Sequence, residues 1–281
     1  MRRSLKRFLL RSGLYGGLWK LRGQLRAFDP RTLAANRRWR RSHDPSTAVP
    51  PPRLIFEVVH NYDIRGFING GRERAETIDH VLSESGFELR DSESVLDFGC
   101  GCGRVIRHMR ERTAAQLSGS DLNPRLIEWC RENLDFGRFE CNDLAPPLIY
   151  PDDSFDLVYA ISVLTQLDEE LQDLWLAEFQ RILMPGGALL VTTHGDSCFD
   201  GLDAAEAQRY SDGRLVVRSA SSLGSNLCET YHPPDYFRRV TEPLFAEVHH
   251  FPRGGPDRRA QDIWVLRTPS QSESSTLNFQ G

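Results

Sequence analysis

Short apolar runs alternate with segments of helical periodicity from residue 94 onward. Strand-like runs lie near 94–98, 116–121, 137–141, 154–161 and 187–194, with helical patterns near 104–112, 124–134 and 169–182. This alternation predicts a parallel sheet with helices on both faces. Two later runs, 244–251 and 262–267, predict an antiparallel pair that closes the sheet.

The first ninety residues follow a different pattern. Leucines and Phe8 recur at three- and four-residue intervals between residues 5 and 25, with Lys and Arg between them. This pattern predicts a basic amphipathic helix, interrupted by glycines at 13, 16 and 17. A proline-rich break at 49–52 follows, and two helical patterns around 55–62 and 72–85 come next, divided by Gly66 and the Gly70-Gly71 pair.

Charge is unevenly distributed along the 281 residues. Residues 1–45 carry thirteen Lys or Arg and two acids, a balance of +11, so the rest of this chain of net charge −4 carries −15. Arg11 and Lys20 cut the apolar run too short to span a bilayer. Three interpretations remain for residues 1–28: a helix on an anionic membrane surface, a mitochondrial-type transit segment, or a helix packed on the protein itself or on a partner protein. Nucleic acid is disfavoured because the acidic remainder repels phosphate.

Cysteine usage indicates neither a disulfide framework nor a metal site. The six cysteines lie mostly inside predicted elements, and Cys100 and Cys102 have no accompanying C-x-x-C motif. We therefore expect no metal, and a reducing, cytoplasmic location with possible peripheral membrane contact. The last residues, 269–281, are interpreted as a tail or tag remnant.

The most informative segment is 95–104, Val-Leu-Asp-Phe-Gly-Cys-Gly-Cys-Gly-Arg. A strand followed by alternating glycines forms a loop whose backbone can approach a ligand closely. Asp97 can accept hydrogen bonds from a cationic or amine-bearing ligand, and Asp121, eighteen residues after Gly103, can hold a ribose diol. A nicotinamide-dependent dehydrogenase is the main alternative, but its pyrophosphate would meet the Asp97 carboxylate.

Together with three later motifs, this segment resembles the class I S-adenosylmethionine-dependent methyltransferases over about residues 60–267. The later motifs are Cys-Asn-Asp-Leu at 141–144, the strand at 154–160, and the Pro-Gly-Gly turn into the strand at 183–191. The resemblance implies an α/β, Rossmann-like, seven-stranded, mostly parallel sheet with an antiparallel last strand. Helices cover both faces, and an N-terminal helical arm and lid precede the sheet.

The resemblance also divides the chain and places the cofactor. The expected parts are an arm (1–49), a helical lid (50–92) with Tyr62, Phe67 and Arg72 as candidate lining residues, a core (93–268), and the tail. An insertion at 196–232 in the core is expected to shape the acceptor pocket. The residues implied to bind S-adenosylmethionine are Asp97, Gly99, Gly101, Gly103, Asp121, Leu122, Asp143, Leu144 and Ile161.

The acceptor is less clearly indicated. Residues 160–167 lack the Asp-Pro-Pro-Tyr element of many nitrogen-methylating relatives, which favours oxygen methylation of a saccharide, glycolipid or other small metabolite. Protein or amine N-methylation, or a scaffold that binds cofactor without turnover, remain alternatives. His194 and His232 are the candidate bases, because a neutral imidazole is suited to deprotonating a hydroxyl near pH 7. Either histidine can instead serve packing or hydrogen bonding.

Overall fold

The computed structural model describes residues 29–44, 46–225, 227–254 and 261–270. The predicted amphipathic segment at 1–28 and the tail from 271 lie outside the described residues. The helices are α1 (Pro30–Ser42), α2 (Pro52–Val59), α3 (Ile64–Glu84), α4 (Ile106–Met109), α5 (Pro124–Asn133), α6 (Glu169–Ile182), α7 (Ala204–Ser211) and α8 (Pro234–Thr241).

The strands form one large sheet and one small hairpin. The strands are β1 (Ser94–Phe98), β2 (Gln116–Asp121), β3 (Gly137–Cys141), β4 (Phe155–Ala160), β5 (Leu183–Thr193), β6 (Val216–Arg218), β7 (Glu229–Tyr231), β8 (Glu247–Phe251) and β9 (Asp262–Arg267). The large sheet has the order β3-β2-β1-β4-β5-β9-β8, and β9 runs antiparallel to both of its neighbours. The predicted seven-stranded, mostly parallel sheet is confirmed.

Each face of the sheet has its own apolar core. Successive side chains of a strand point to opposite faces, so Val95 packs with one cluster and Leu96 with the other. The first cluster contains the apolar faces of α1 to α5, and the second those of α6 and α8. The helices therefore cover both faces, and the carboxyl ends of β1 to β5 meet at a single edge.

Two predicted helix boundaries were wrong. α3 runs without a break through Gly66, Gly70 and Gly71. Close packing, rather than a helix end, explains the glycine at 71: a Cβ there would lie 2.0 Å from the carbonyl oxygen of Arg104. The helix expected over 104–112, by contrast, is shorter than predicted and consists of α4 alone. The glycine loop occupies the residues before α4, and the Arg107 guanidinium donates to the Gly103 and Cys102 carbonyls in place of helical partners.

α1 and α2 are held against the start of α3. The side chain of Asn36 donates to the Tyr62 carbonyl at 2.7 Å and accepts from the backbone N–H of Ile64 at 3.0 Å. The other face of α1 presents Arg37, Arg38, Arg40 and Arg41 to solvent. In the described part of the chain, every helix is too short or too polar to cross a bilayer.

The described residues of the insertion at 196–232 are joined to the core. It contains α7 and the β6–β7 hairpin. The backbone N–H of His232 donates to the His194 carbonyl at 2.8 Å, and Thr230 Oγ1 donates to the Leu167 carbonyl at 2.7 Å. These contacts hold the insertion at the carboxyl ends of β4 and β5.

Candidate active site

A cavity of about 990 Å³ opens at the carboxyl ends of β1, β2 and β4. Its floor is the glycine loop and the residues that follow these strands. One wall comes from α2 and α3, and another from Gly224, Ser225 and Leu227 of the insertion. Ligands of open α/β sheets bind at this edge, so the cavity is the candidate site.

The glycine loop forms the floor because its backbone leaves no room for side chains. Gly99 and Gly101 have φ of 79° and 58°, a region that L residues with a Cβ rarely adopt. A Cβ on Gly99 would lie 2.5 Å from Val163, and one on Gly101 would lie 2.8 Å from Val58 of α2. Gly99 is exposed, so a ligand can lie close to its backbone, whereas Gly101 is buried beneath Val58.

Asp121 lies at the end of β2 and links the loop to the next turn. Its Oδ2 accepts from the Gly101 N–H and its Oδ1 from the Asn123 N–H, both at 2.8 Å. Burial raises the pKa of Asp121, and these two bonds lower it. Each carboxylate oxygen has further acceptor capacity, so a diol in the cavity can donate to a carboxylate whose position is already fixed.

Two leucines form an apolar slot beside Asp121. Leu122 and Leu144 remain 40% and 37% exposed although they are large and apolar. Gly224 of the insertion faces both, because a Cβ there would lie 2.7–2.8 Å from their side chains. Trp175 Nε1 donates to the Leu144 carbonyl at 3.0 Å, and Asp143 also lines the slot. A flat, mostly apolar ring such as adenine fits this arrangement.

Asp97 lies beneath the loop and is only 3% exposed. Its Oδ2 has no hydrogen-bond partner among the described residues. Burial raises the pKa of Asp97 to about 7, while the nearby Tyr159 hydroxyl and Arg104 guanidinium lower it. A buried carboxylate oxygen without a partner suits a cationic ligand group.

The structure brings together most of the residues predicted to bind the cofactor. Seven line the cavity, namely Gly99, Gly101, Asp121, Leu122, Asp143, Leu144 and Ile161. Asp97 lies under the floor. Gly103 does not line the cavity: it has φ of 70°, and a Cβ there would meet Leu134, directly after α5, at 2.5 Å. The orphaned oxygen of Asp97, the side-chain-free loop and the leucine slot together fit S-adenosylmethionine.

The two predicted bases are not in the cavity wall. His232 is fully buried, with Nε2 3.1 Å from Gln172 Oε1, and burial lowers its pKa to about 3. His194 is half-buried, and its Nδ1 lies 3.1 Å from the Thr230 carbonyl oxygen. Burial also lowers the pKa of His194. The His194 ring is directed at the insertion, where β7 pairs alongside the end of β5, whereas the His232 ring contacts Gln172 of α6 and Phe237 of α8.

The residues that line the acceptor side were largely missed by sequence reasoning. His60, Ser162 and Gln261 line the cavity, and none of them was predicted as a site residue. Ser162 had a usable signal, since it directly follows Ile161 at the carboxyl end of β4. His60 and Gln261 come from distant segments, and their position depends on how these pack.

α2 and the start of α3, in the segment interpreted as a lid, lie along the cavity. Val58 contacts the loop at Gly101, and Glu57 pairs with Arg125 at 3.0 Å across the opening. Tyr62 lines the cavity and stacks on Phe56 with centroids 4.8 Å apart. The other two lining candidates do not reach the cavity: Phe67 is fully buried in the core, and Arg72 is exposed on α3.

Comparison with known proteins agrees with this geometry. The methyltransferase domain family matches residues 95–187. Methyltransferase GfsG of Streptomyces halstedii is 32% identical over 157 residues, 54% of each chain. Phosphoethanolamine N-methyltransferase of Plasmodium falciparum is 28% identical over 147 residues, 51% of this chain and 50% of that protein. The chain thus spans about half the length of these two relatives.

Solved structures show the same fold. An S-adenosylmethionine-dependent methyltransferase from Mesorhizobium loti superposes with a TM-score of 0.53 at 16% identity, covering 71% of this chain and 99% of that one. The matched family segment contains the glycine loop, Asp121 and the Asp143-Leu144 pair, which form the cofactor side of the cavity. Residues 95–187 therefore match the methyltransferase domain family, and the chain has the fold of S-adenosylmethionine-dependent methyltransferases.

Proposed function

We propose that this protein transfers the methyl group of S-adenosylmethionine to a hydroxyl group of a small molecule, a saccharide, glycolipid or other metabolite. The observation that carries the proposal is the continuity of the cavity. The cofactor cradle and the wall formed by α2, α3 and the insertion belong to one space of about 990 Å³. Pockets of this size are typical of small-molecule sites.

The residues have separate tasks in this reaction. Asp121 would hold the ribose, Leu122 and Leu144 would enclose the adenine with Asp143 at its edge, and Asp97 would pair with the amino group. When bound, the cofactor would supply a methyl group on a sulfonium: the C–O bond to the acceptor forms in line as the C–S bond breaks, the sulfur leaves as a neutral thioether, and the hydroxyl proton is released to solvent. The walls exclude water and hold the acceptor oxygen in line, and such positioning supplies much of the rate.

An amine acceptor is the second candidate. Glu57 and Glu73 of the lid line the cavity and supply negative charge for an ammonium group. The similarity to a phosphoethanolamine N-methyltransferase points the same way. Neutral hydrogen-bonding groups nevertheless predominate where β4 ends, which favours the hydroxyl.

Calorimetry with S-adenosylmethionine and with NAD tests the cofactor. We expect saturable heat from S-adenosylmethionine alone. Binding of NAD without heat from S-adenosylmethionine would overturn the proposal.

The acceptor class is tested by incubating the protein with a metabolite extract and methyl-labelled S-adenosylmethionine, followed by mass spectrometry. We expect label on a small molecule, through an oxygen. Label on nitrogen supports the amine candidate, and label confined to protein overturns both. Cofactor binding with no labelled product identifies a scaffold without turnover.

We propose in addition that the basic arm contacts anionic membrane surfaces. The support is the charge of residues 1–45, +11 overall, and the four exposed arginines of α1. The full chain should co-sediment with vesicles containing phosphatidylglycerol and not with pure phosphatidylcholine, and replacing the four arginines by Gln should weaken this binding. Equal sedimentation with both vesicle types contradicts the proposal.

A further inference from the structure

Ser162 has a strained backbone at the carboxyl end of β4. Its φ is 61°, a conformation that costs a residue with a Cβ free energy and is often retained at functional sites. The surrounding chain holds it there: its N–H donates to Thr192 Oγ1 at 2.7 Å, and its carbonyl accepts from Thr165 Oγ1 at 2.9 Å. The side chain thereby lies in the cavity wall, next to the cofactor-binding Ile161.

A chain of hydrogen bonds runs from the core to the Ser162 hydroxyl. His194 Nδ1 lies 3.1 Å from the Thr230 carbonyl, which can only accept, so Nδ1 carries the proton. His194 Nε2 is then an acceptor, and Gln261 Nε2 donates to it at 3.3 Å. This orientation of the amide leaves Gln261 Oε1 to accept from Ser162 Oγ at 3.0 Å.

In this chain, the donor and acceptor of each hydrogen bond determine the donor and acceptor of the next one. The only proton of the Ser162 hydroxyl is used in the bond to Gln261, so its lone pairs remain for a ligand. Ser162 therefore presents an acceptor, and a substrate hydroxyl or N–H is the group that satisfies it.

We propose that Ser162 binds the methyl acceptor by accepting a hydrogen bond from its reacting or neighbouring donor group, and that Gln261 and His194 are positioning residues that set the direction of this bond. The inference rests on the proposed methyl transfer. In this proposal His194 does not act as the base. It acts on the site through Gln261, whose Nε2 lies 3.3 Å from His194 Nε2.

Protonation of His194 reverses this polarity. With both ring nitrogens donating, Gln261 must turn its oxygen to His194 and its amide N–H to Ser162, whose proton then points at the substrate. The groups that face the ring are the Thr230 carbonyl, Gln261, the Tyr231 ring at 5.3 Å between centroids, the charge of Glu229, and the buried His232 ring, which burial keeps neutral. The rate of methyl transfer to an acceptor that donates a hydrogen bond to Ser162 should therefore fall as the pH is lowered through the pKa of His194. Gln261→Met should not show this fall.

The test uses substitutions that separate the hydroxyl from the backbone strain. Ser162→Gly removes the hydroxyl and relaxes the positive φ. Ser219→Gly relaxes a φ of 55° in the insertion, away from the cavity, and is the matched control. With methyl-labelled S-adenosylmethionine and the metabolite extract, we expect Ser162→Gly and Gln261→Met to transfer label about tenfold more slowly than wild type, the loss of one hydrogen bond. Ser219→Gly should transfer at the wild-type rate, and cofactor affinity should be unchanged in all three variants.

A second measurement does not depend on turnover. Nitrogen NMR of the full chain should show His194 as the neutral Nδ1–H tautomer, and Gln261→Met should shift the Nε2 resonance. Wild-type transfer by Ser162→Gly, or a His194 protonated on Nε2 at pH 8, would overturn the inference. Failure of wild type to bind S-adenosylmethionine would overturn the proposed function instead, with the tautomer still reporting on the hydrogen-bond chain.

Discussion

Asp97 and Asp121 lie at the ends of neighbouring parallel strands and have different environments. Asp121 accepts two backbone N–H bonds and faces the cavity, whereas one oxygen of Asp97 is buried with no partner in the described chain. The first is prepared to receive neutral hydroxyls. The second lacks a hydrogen-bond donor, and a cationic N–H group of a ligand would suit it.

Replacing Asp121 by Ala should weaken S-adenosylmethionine binding by about 1.5–3 kcal/mol, because hydrogen bonds to a charged group are lost. Calorimetry measures this change. Asp156→Ala is the control: Asp156 Oδ2 also accepts backbone N–H bonds, from Glu93 and Ser94 at 2.8 and 2.9 Å, at the opposite edge of the sheet. Equal losses of affinity in both variants would show that Asp121 acts only through the fold.

Asp97→Asn should change how stability depends on pH. The pKa of Asp97 is raised from 3.8 to about 7 in the folded protein, so between these values the unfolded state releases a proton that the folded state retains. The free energy of unfolding therefore falls as pH rises toward 7 and is level above it. We expect wild type to lose about 2–3 kcal/mol relative to Asp97→Asn between pH 5 and 8.

Denaturant titrations of both proteins at each pH give this difference. The comparison is needed because burial lowers the pKa of His108 to about 4 and that of His232 to about 3, and these groups reduce stability as pH falls below 6.5. They are present in both proteins and cancel. Parallel pH curves for the two proteins would contradict the assignment to Asp97.

At the scale of elements, the packing of α2 and α3 against the glycine loop closes the site. α2 meets the loop at Val58 and Gly101, and α3 meets the following turn at Gly71 and Arg104. In both contacts a glycine allows backbone and side chain to approach more closely than a Cβ would permit.

Gly101→Ala should lower cofactor affinity by more than tenfold, because the methyl group would lie 2.8 Å from Val58 and φ is 58°. Gly86→Ala is the control for the cost of a positive φ alone, since φ of Gly86 is 74° and nothing lies within 4 Å of its Cβ position. Both variants should lose about 1–2 kcal/mol of stability from the positive φ. Calorimetry should show the affinity loss in Gly101→Ala alone, and Val58→Ala should partly restore it.

Gly70 and Gly71 are adjacent in α3 and should respond in opposite directions. A Cβ on Gly71 would overlap the Arg104 carbonyl at 2.0 Å, whereas one on Gly70 would contact only Arg104 Nη1 at 3.6 Å. Gly71→Ala should cost about 1–3 kcal/mol through overpacking, and Gly70→Ala should add about 0.5–1 kcal/mol through helix propensity. Chemical denaturation distinguishes them, and stabilisation by both would show that Gly71 is not a packing contact.

For the whole molecule, the cofactor should couple the lid, the sheet edge and the insertion. At a concentration 100 times its Kd, S-adenosylmethionine should stabilise the folded state by about 2.7 kcal/mol. For a protein of this size, this corresponds to a rise in Tm of about 5 °C. Thermal melts with S-adenosylmethionine and with NAD measure it, and Asp121→Ala should reduce the shift at the same concentration. Equal shifts from both compounds would contradict a specific site.

The local features of the cofactor side were determined by the sequence alone. The strand of β1, the alternating glycines and Asp121 are encoded by neighbouring residues, since apolar periodicity, positive φ and strand ends are short-range properties. The same is true of the element order, from which the sheet topology follows. Seven of the nine predicted cofactor residues accordingly line the cavity.

Only the tertiary structure decided which residues line the proposed acceptor side of the cavity. Ser162 and Gln261 meet from 99 residues apart, and His194 reaches Gln261 across 67, so no local pattern could reveal the contact. His232 looked available in the sequence but is fully buried, because β7 pairs beside the end of β5. The continuity of α3 through three glycines was decided in the same way, by the approach of Arg104 to Gly71. Packing between distant segments determines which polar side chains reach the cavity. The free energy of this packing depends on residues from several segments, so no single stretch of sequence reveals it.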